Sequence, residues 1–124
     1  MLTIKHKINL SPIAGLGLFA NELIPKDTIV WQNFTDSELI LPLAIFENMS
    51  PYMKDTFKNY GYHDKNTTEW KLPLDNSRFM NHSDTPNLTQ DEQGNSIASK
   101  DIMIGEEICC DYRGFVDIKD YSFL

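Results

Sequence analysis

A chain of 124 residues with a formal net charge of −7 can build one hydrophobic core but not two domains. The acidic balance argues against binding along a nucleic-acid backbone, which uses clustered lysine and arginine, and suits a basic protein partner. No segment is apolar enough to span a bilayer, and no basic-then-apolar leader begins the chain. We therefore expect a cytoplasmic protein that does not enter a membrane.

The two cysteines, Cys109 and Cys110, are adjacent. Neighbouring cysteines do not form an ordinary disulfide with each other, and the chain contains no CxxC pair of the kind that binds zinc. The cysteine pattern predicts a reducing compartment and a fold without metal.

The N-terminal part predicts short strands around a turn that contains two glycines. Residues 3–9 carry Ile4 and Ile8 among polar neighbours and predict a strand. In the segment 11–20, the glycines at positions 15 and 17 would let the backbone approach a ligand closely. Such a pair is more often a turn, and it lacks the third glycine of a dinucleotide-binding loop. The β-branched and aromatic residues 28–31 predict a second strand.

The next part predicts helices. Apolar residues recur at helical spacing over residues 36–49, with Pro42 in a first turn or at a kink. A second helix is predicted from a Ser50 cap, with Pro51 at its first position and Gly61 at its end. One face of this helix is predicted to pack on the core, and it carries Tyr52, Met53, Thr56, Phe57 and Tyr60.

The remaining elements are a predicted loop and several strands. Residues 62–69 are polar and predict the loop. Residues 70–74 predict an edge strand, because Pro73 cannot donate to a neighbouring strand. Residues 88–90 and 96–99 predict a hairpin, and residues 106–112 predict a last strand. The expected class is mostly β (α+β), with one helical insert.

Residues 78–88 combine many polar side chains with little periodicity. Arg78, Asn81, His82, Ser83, Asp84 and Asn87 all offer donors or acceptors. A polar surface turn would explain such a stretch. A buried loop explains it better, because backbone groups without a strand partner need side-chain partners.

Three stretches together resemble the signatures of the SET-domain protein lysine methyltransferases. They are Gly-Leu-Gly-Leu-Phe-Ala at 15–20, Arg-Phe-Met-Asn-His-Ser-Asp-Thr-Pro-Asn at 78–87, and Gly-Glu-Glu-Ile-Cys-Cys-Asp-Tyr at 105–112. They occur in the family's order and cover almost the whole chain. The resemblance is greatest to the small stand-alone SET proteins of bacteria and viruses.

The resemblance implies a single SET domain over residues 1–124, of the β-clip type, in which the last strand passes beneath the loop of the middle signature as a pseudoknot. It also implies S-adenosylmethionine as cofactor, with Tyr112 at the reacting centre. The cofactor-binding positions that it implies are Gly15, Leu16, Gly17, Arg78, Asn81 and His82. Residues 36–69 match the variable region in which the substrate is selected.

The chain departs from many relatives at the zinc site. Asp84 stands where they have a cysteine ligand, and the tail at 113–124 has no cysteine. This implies a form without metal, in which tail aromatic residues (Phe115, Tyr121 and Phe123) are candidate walls of the lysine channel, although ordinary packing would also explain them.

Cys110 stands where relatives often have Phe or Tyr, at a position implicated in how many methyl groups are added. Alternation in a strand puts Ile108, Cys110 and Tyr112 on one face, so the channel is predicted to include Ile108 and Cys110. A roomy channel would let the enzyme carry a lysine beyond the monomethyl state.

The function implied is methylation of a lysine in a basic protein substrate, without direct nucleic-acid or membrane binding. Two alternatives stay open: a catalytically silent SET fold that binds peptides by strand addition, and a structural or dimerisation module. The sequence identifies neither the substrate nor the oligomeric state, and a homodimer is compatible with it.

Overall fold

The computed structural model describes residues 1–124, apart from the side chain of Thr35. The regular elements are short, as predicted. The strands are β1 (His6–Leu10), β2 (Leu16–Ala20), β3 (Ile29–Trp31), β4 (Glu38–Leu41), β5 (Tyr62–His63), β6 (Trp70–Pro73), β7 (Asn81–His82), β8 (Leu88–Gln90), β9 (Ser96–Ala98) and β10 (Cys109–Cys110). The helices are α1 (Leu43–Glu47) and α2 (Pro51–Tyr60). None of the described helices has the length and apolar character that crossing a membrane requires.

The strands form four small sheets, which confirms the mostly β class. The β1–β2 hairpin is antiparallel, and β3, β9 and β8 form a three-stranded antiparallel sheet that contains the predicted hairpin. A second three-stranded sheet has the order β4-β6-β5, and β7 pairs with β10 in parallel. Each sheet is too small to be stable alone, so packing between the sheets stabilises the fold.

Two separate apolar clusters lie beneath these sheets. The central core collects buried residues from most of the chain: Leu18, Ala20, Ile24, Val30, Met80, Leu88, Ala98, Ile102 and Ile108. A smaller cluster of Phe46, Phe57 and Trp70 lies within the helical region, where the rings of Phe46 and Trp70 stack at 4.3 Å. The insert therefore has its own apolar centre.

Residues 106–110 lie between β2 and the 81–88 loop. On one edge, Ile108 N donates to Leu18 O at 2.7 Å, and β10 pairs with β7. On the opposite edge, the buried Asn87 side chain donates to Glu107 O at 2.8 Å and accepts from Cys109 N at 2.9 Å. Asn87 thus replaces a neighbouring strand. This is how a loop without a ladder satisfies backbone groups, and it is the arrangement expected of the pseudoknot.

The predicted helix over residues 36–49 is wrong in its first half. Residues 38–41 form β4, which pairs antiparallel with β6, and the helix is limited to α1, which begins immediately after Pro42. The apolar spacing was ambiguous because Leu39, Ile40 and Leu41 suit a strand as well as a helix. Pairing with β6 decides the outcome, since Pro42 cannot continue a helix that enters from residue 41.

The second helix begins and ends as predicted, but its apolar face is not core. Ser50 caps α2 by accepting from Met53 N at 3.3 Å, and Gly61 ends it. Of the predicted face, only Phe57 is buried, while Tyr52 is 84% exposed. The helix therefore lies at the surface and contributes only Phe57 to the buried cluster beneath it. Gly61 is required sterically: a Cβ there would overlap the carbonyl oxygen of Lys71.

Three further predictions need correction. β6 was predicted to be an edge strand, but it is the centre of its sheet; Pro73 lies at its end, beyond the reach of β5. The predicted loop 62–69 opens with β5. The strand predicted over residues 106–112 is regular only at β10, and Tyr112 already begins a 3-10 turn that is capped by Asp111.

Candidate functional site

A cavity of about 820 Å³ joins two of the signature segments to the insert and the tail. The middle and last signatures contribute Arg78, Asn81, His82, Cys110 and Tyr112 to its lining, and Ala14 contributes from just before the first signature. The insert and tail contribute Glu38, Tyr62, Phe115, Tyr121 and Phe123. Its volume is within the range of small-molecule and cofactor sites. Residues as far apart in sequence as Ala14 and Phe123 therefore face one space.

Asn81 connects the middle signature to the glycine-containing loop. Its amide nitrogen donates to Ala14 O at 3.2 Å, to Leu16 O at 3.1 Å and to Glu107 Oε2 at 2.9 Å. Three acceptors around one nitrogen settle which end of the amide is NH2. The other end, Oδ1, has no hydrogen-bond partner among the described residues and is available to a donor in the cavity.

His82 supports the backbone at Tyr112. Its Nδ1 accepts from Tyr112 N at 3.1 Å, so its Nε2 carries the proton and donates to Asp84 Oδ1 at 3.1 Å. Arg113 also contacts Asp84, at 3.2 Å. At the position where relatives have a zinc cysteine, this chain therefore has a carboxylate in a surface polar cluster.

The glycine-containing loop contributes differently from the prediction. Ala14 lines the cavity, whereas Gly15, Leu16 and Gly17 are absent from its lining. Gly15 has a positive φ of 47°, which explains the glycine, and Gly17 packs against the Glu107 side chain. The exposed Arg78 lies at the cavity with its guanidinium over the Phe79 ring, at 5.0 Å.

Tyr112 is partly buried in the wall of the cavity, and its hydroxyl donates to Met80 O at 2.5 Å. Burial raises the pKa of Tyr112 above its ordinary value, and the nearby thiols and carboxylate add to the increase. The phenol therefore stays protonated and keeps a defined orientation.

Aromatic side chains surround Tyr112, and we call Tyr62, Tyr112, Phe115, Tyr121 and Phe123 the aromatic group. Ring centroids lie 5.8 Å apart for Tyr112 and Phe115, 6.3 Å for Tyr112 and Tyr121, and 5.0 Å for Tyr62 and Phe115. All five residues line the cavity. The faces of such rings attract a cationic or methylated amine.

The Tyr121 hydroxyl is buried and has no hydrogen-bond partner of normal geometry among the described residues. Burial raises the pKa of Tyr121 to about 12, although the backbone N–H of His63 is close enough to oppose the increase. A buried hydroxyl without a partner is uncommon in folded proteins, and such groups often face a ligand or water.

The two channel residues that were predicted from the last signature lie in different places. Cys110 lines the cavity, and burial raises the pKa of its thiol to about 12. Ile108 is fully buried in the central core and is absent from the cavity lining. Cys110 also packs against this core, so the two residues share a face and only Cys110 reaches the cavity.

The tail is fastened to the insert. Asp64 and Val116 form an antiparallel bridge, flanked by Lys65 N donating to Phe115 O at 3.1 Å and Asp117 N donating to His63 O at 2.8 Å. The buried His63, stacked on Trp70, lies 2.6 Å from Asp120 Oδ2. The insert therefore holds the segment that carries three members of the aromatic group. His63, Asp117 and Asp120 form a cluster of metal-ligand type, although no metal site was predicted.

Several residues of the site are not identified by any sequence pattern. Tyr62 donates to Glu38 Oε2 at 2.6 Å, and burial raises the pKa of Glu38 despite this bond. Both lie in the insert, where no motif identifies a position. Glu107, in contrast, is part of the last signature. Two adjacent glutamates look like ordinary surface residues, and only their opposite strand faces distinguish Glu107 from Glu106.

Comparison with known proteins agrees with these features. A family model for the SET domain matches residues 15–113. Over 67 residues, which are 52% of this chain, the sequence is 34% identical to a Saccharomyces cerevisiae protein described as "Potential protein lysine methyltransferase SET6". That stretch is 16% of the yeast protein, so the chain spans only a small part of this relative's length.

A solved structure is also similar. It is a Plasmodium falciparum protein described as a "putative histone methyltransferase", with a TM-score of 0.56 and 27% identity. The similarity covers 90% of this chain and 95% of the other. With the family match over most of its length, the chain belongs to the SET-domain family and has the fold of its methyltransferases.

Proposed function

We propose that this protein transfers a methyl group from S-adenosylmethionine to the ε-amine of a lysine in a protein substrate. The observation that carries the proposal is the single cavity, in which the segment held by Asn81 and the aromatic group around Tyr112 face the same space. A methyl transfer needs the donor and the acceptor within reach of each other, at roughly 3–3.5 Å between the reacting atoms.

The residues present fit the cofactor. Asn81 Oδ1 offers an acceptor to an ammonium group, and the 81–82 backbone and the Arg78 guanidinium lie along the same cavity. When bound, S-adenosylmethionine would supply the methyl group on its sulfonium. Asn81, His82 and Arg78 would hold it, and Ala14 would border it.

The aromatic group would receive the lysine. A charged lysine amine, with an ordinary pKa of about 10.4, is not a nucleophile and must lose its proton first. Partly buried aromatic walls disfavour the ammonium form by desolvation, and ring faces still attract the cation on arrival. Tyr112 stays a protonated phenol with its hydrogen committed to Met80 O, so its oxygen is left to accept from the amine. The proton leaves to solvent in this scheme.

The charge of the chain supports a proposal for the kind of partner. A net charge of −7 favours a basic, lysine-containing segment and disfavours direct nucleic-acid binding. We propose that the protein acts in the cytoplasm. We infer that the insert, which supplies Glu38 and Tyr62 to the cavity, selects the substrate.

Labelled cofactor tests the proposal. Purified protein is incubated with S-adenosylmethionine that carries a tritiated methyl group and with a lysate from cells lacking the protein, and labelled proteins are mapped by mass spectrometry. We expect label on lysine side chains. Cofactor binding without transfer would favour the silent peptide-binding alternative, in which a peptide would pair with an edge strand such as β4. A protein that shows no thermal shift with the cofactor would favour a structural module.

A further inference from the structure

Glu107 lies beneath the glycine-containing loop and contacts two other segments. Its carboxylate accepts from the Ser11 hydroxyl, at 2.7 Å to Oε1 and 2.9 Å to Oε2, and from the Asn81 amide at 2.9 Å. Gly17 leaves room for it, because a Cβ at that position would lie 2.6 Å from Glu107 Oε2. One carboxylate thus joins residue 11, the turn before β2 and the middle signature.

The donors around Glu107 are neutral. Among the described residues, no lysine, arginine or histidine forms an ion pair with it. A partly buried carboxylate without a cation is costly unless hydrogen bonds stabilise it, and a neutral side chain would fill the space at lower cost. The charged carboxylate of Glu107 therefore indicates a role that a neutral side chain would not fill.

The Glu107 carboxylate determines the orientation of the Asn81 side-chain amide. Its NH2 group has two hydrogens and faces three acceptors, of which Glu107 is the nearest and the only charged one. Charged acceptors form the stronger bonds. Glu107 therefore holds the NH2 end of the amide on the protein side, which leaves Oδ1 for the cavity.

We propose that Glu107 is a positioning residue of the cofactor site: it fixes the amide of Asn81, and through it the Ala14 and Leu16 carbonyls, in the orientation that binds a cationic ligand. The inference rests on the proposed function, because the ligand that would meet Asn81 Oδ1 is the ammonium of S-adenosylmethionine. Glu107 itself need not touch the ligand.

Glu107→Gln tests the inference with little change in shape. A glutamine replaces the charged acceptor of the Asn81 amide with a neutral oxygen. Its NH2 group would have to donate to the Ser11 hydroxyl, which already accepts from Ile13 N and Ala14 N. We expect the Kd for S-adenosylmethionine in calorimetry to rise roughly 10- to 100-fold. KM for the cofactor should rise with it, and kcat should change much less, because Tyr112 is untouched.

Glu106→Gln is the matched control. It makes the same change of charge one residue away, and its oxygen can still accept from Met103 N, as Glu106 does at 3.2 Å. We expect unchanged cofactor affinity. Ser11→Ala is the second route if Glu107→Gln folds poorly: it removes one donor to the carboxylate, and we expect a smaller rise in Kd, about threefold to tenfold.

A double-mutant cycle separates positioning from a merely structural role. If Glu107 acts through Asn81, then Glu107→Gln should change the Kd little once Asn81 is alanine. Additive losses in the cycle, or an unchanged Kd in both Glu107→Gln and Ser11→Ala, would overturn the inference. Wild-type protein that fails to bind S-adenosylmethionine would instead overturn the proposed function, and the inference with it.

Discussion

The molecule has two regions that are built in different ways. The motif core, which comprises residues 11–20, 78–88 and 105–112, is connected by side-chain hydrogen bonds to backbone groups, such as those of Asn87 and Asn81. The insert–tail unit, residues 36–73 and 113–124, is connected by ring stacking, short strand pairing and the His63–Asp120 pair. The motif core presents backbone and amide groups, which suit the cofactor. The insert–tail unit presents rings, which suit a side chain of the substrate.

The difference between the two regions indicates that cofactor binding and turnover depend on the motif core, and that substrate binding depends on the insert–tail unit. Changes in the motif core should alter cofactor affinity, turnover or global stability. Changes in the insert–tail unit should alter KM for the protein substrate and leave cofactor affinity intact. The following predictions are arranged from the largest expected effect to the smallest.

Tyr112→Phe should have the largest effect. The change keeps the ring and removes the hydroxyl, so turnover should fall by roughly 10²–10⁴-fold while cofactor affinity stays close to wild type. Stability should fall by only about 1 kcal/mol, because Met80 O loses its donor. Steady-state kinetics and calorimetry measure turnover and cofactor affinity. Tyr52→Phe, which removes a hydroxyl from an 84% exposed side chain, is the control and should act like wild type. A Tyr112→Phe protein with wild-type turnover would show that the hydroxyl is not used.

Asn87→Ala should be the most destabilising change in the motif core. It removes the two bonds that complete the buried edge of residues 107–109, and we expect the free energy of unfolding to fall by roughly 2–4 kcal/mol. Denaturant titration measures it. Asn66→Ala, at an exposed position in the insert, is the control. If both variants lose the same stability, the Asn87 side chain does not support the edge.

The pH dependence of turnover should distinguish the substrate lysine from Tyr112. Burial raises the Tyr112 pKa, so the phenol stays protonated to higher pH than a free tyrosine and cannot cause a decrease in rate below its raised pKa. The lysine amine loses its proton as pH rises, so kcat/KM should increase up to about tenfold per pH unit below the lysine pKa. A decrease in rate between about pH 8 and 10 in a protein that stays folded would contradict this assignment.

Asp120→Asn should affect the insert–tail unit only. The amide keeps an acceptor near His63 but loses the charge, so we expect a loss of about 1 kcal/mol in stability, since Asp120 is partly exposed. KM for the substrate peptide should rise a few-fold and the Kd for the cofactor should not change. Asp117→Asn makes the same charge change in the same cluster and is the control, because its side chain pairs with Lys119. If Asp120→Asn changed the Kd for the cofactor as much as the KM for the peptide, the proposed division of roles between the two regions would be wrong.

Cys110→Tyr should have the smallest effect, on the product alone. Cys110 lines the cavity beside Tyr112, and a larger side chain would fill space that a methylated amine needs. Wild type should carry a substrate peptide to the di- or trimethyl state, and the variant should stop earlier. A time course by mass spectrometry measures the products. Monomethyl product alone from wild type, with excess cofactor, would contradict the prediction.

The motif core is predictable from the sequence because its signatures are local and occur in a fixed order. Asn81, His82, Cys110 and Tyr112 come together as the resemblance implied. Ile108 does not, since it is fully buried in the central core, whereas Cys110 packs against that core and also lines the cavity. Glu107 was missed because hydrogen bonding to Ser11 depends on a contact between residues 96 positions apart.

The insert–tail unit was less predictable for a physical reason. Residues 38–41 suit either a helix or a strand, and only pairing with β6 decides between them. The apolar face of α2 has the pattern of a core-facing helix. Burial depends on what the helix packs against, and only Phe57 packs into a buried cluster. The tail aromatic residues were named as candidates. Their position depends on the His63–Asp120 pair, which no local pattern signals.

A crystal structure of the protein with S-adenosylhomocysteine and a lysine peptide would test the central claim most directly. We predict that the cofactor product lies against Asn81 and Ala14, with its amino group at Asn81 Oδ1. The lysine side chain should enter the aromatic group and end beside the Tyr112 hydroxyl. A cofactor bound away from Asn81, or a lysine that does not reach Tyr112, would contradict the account.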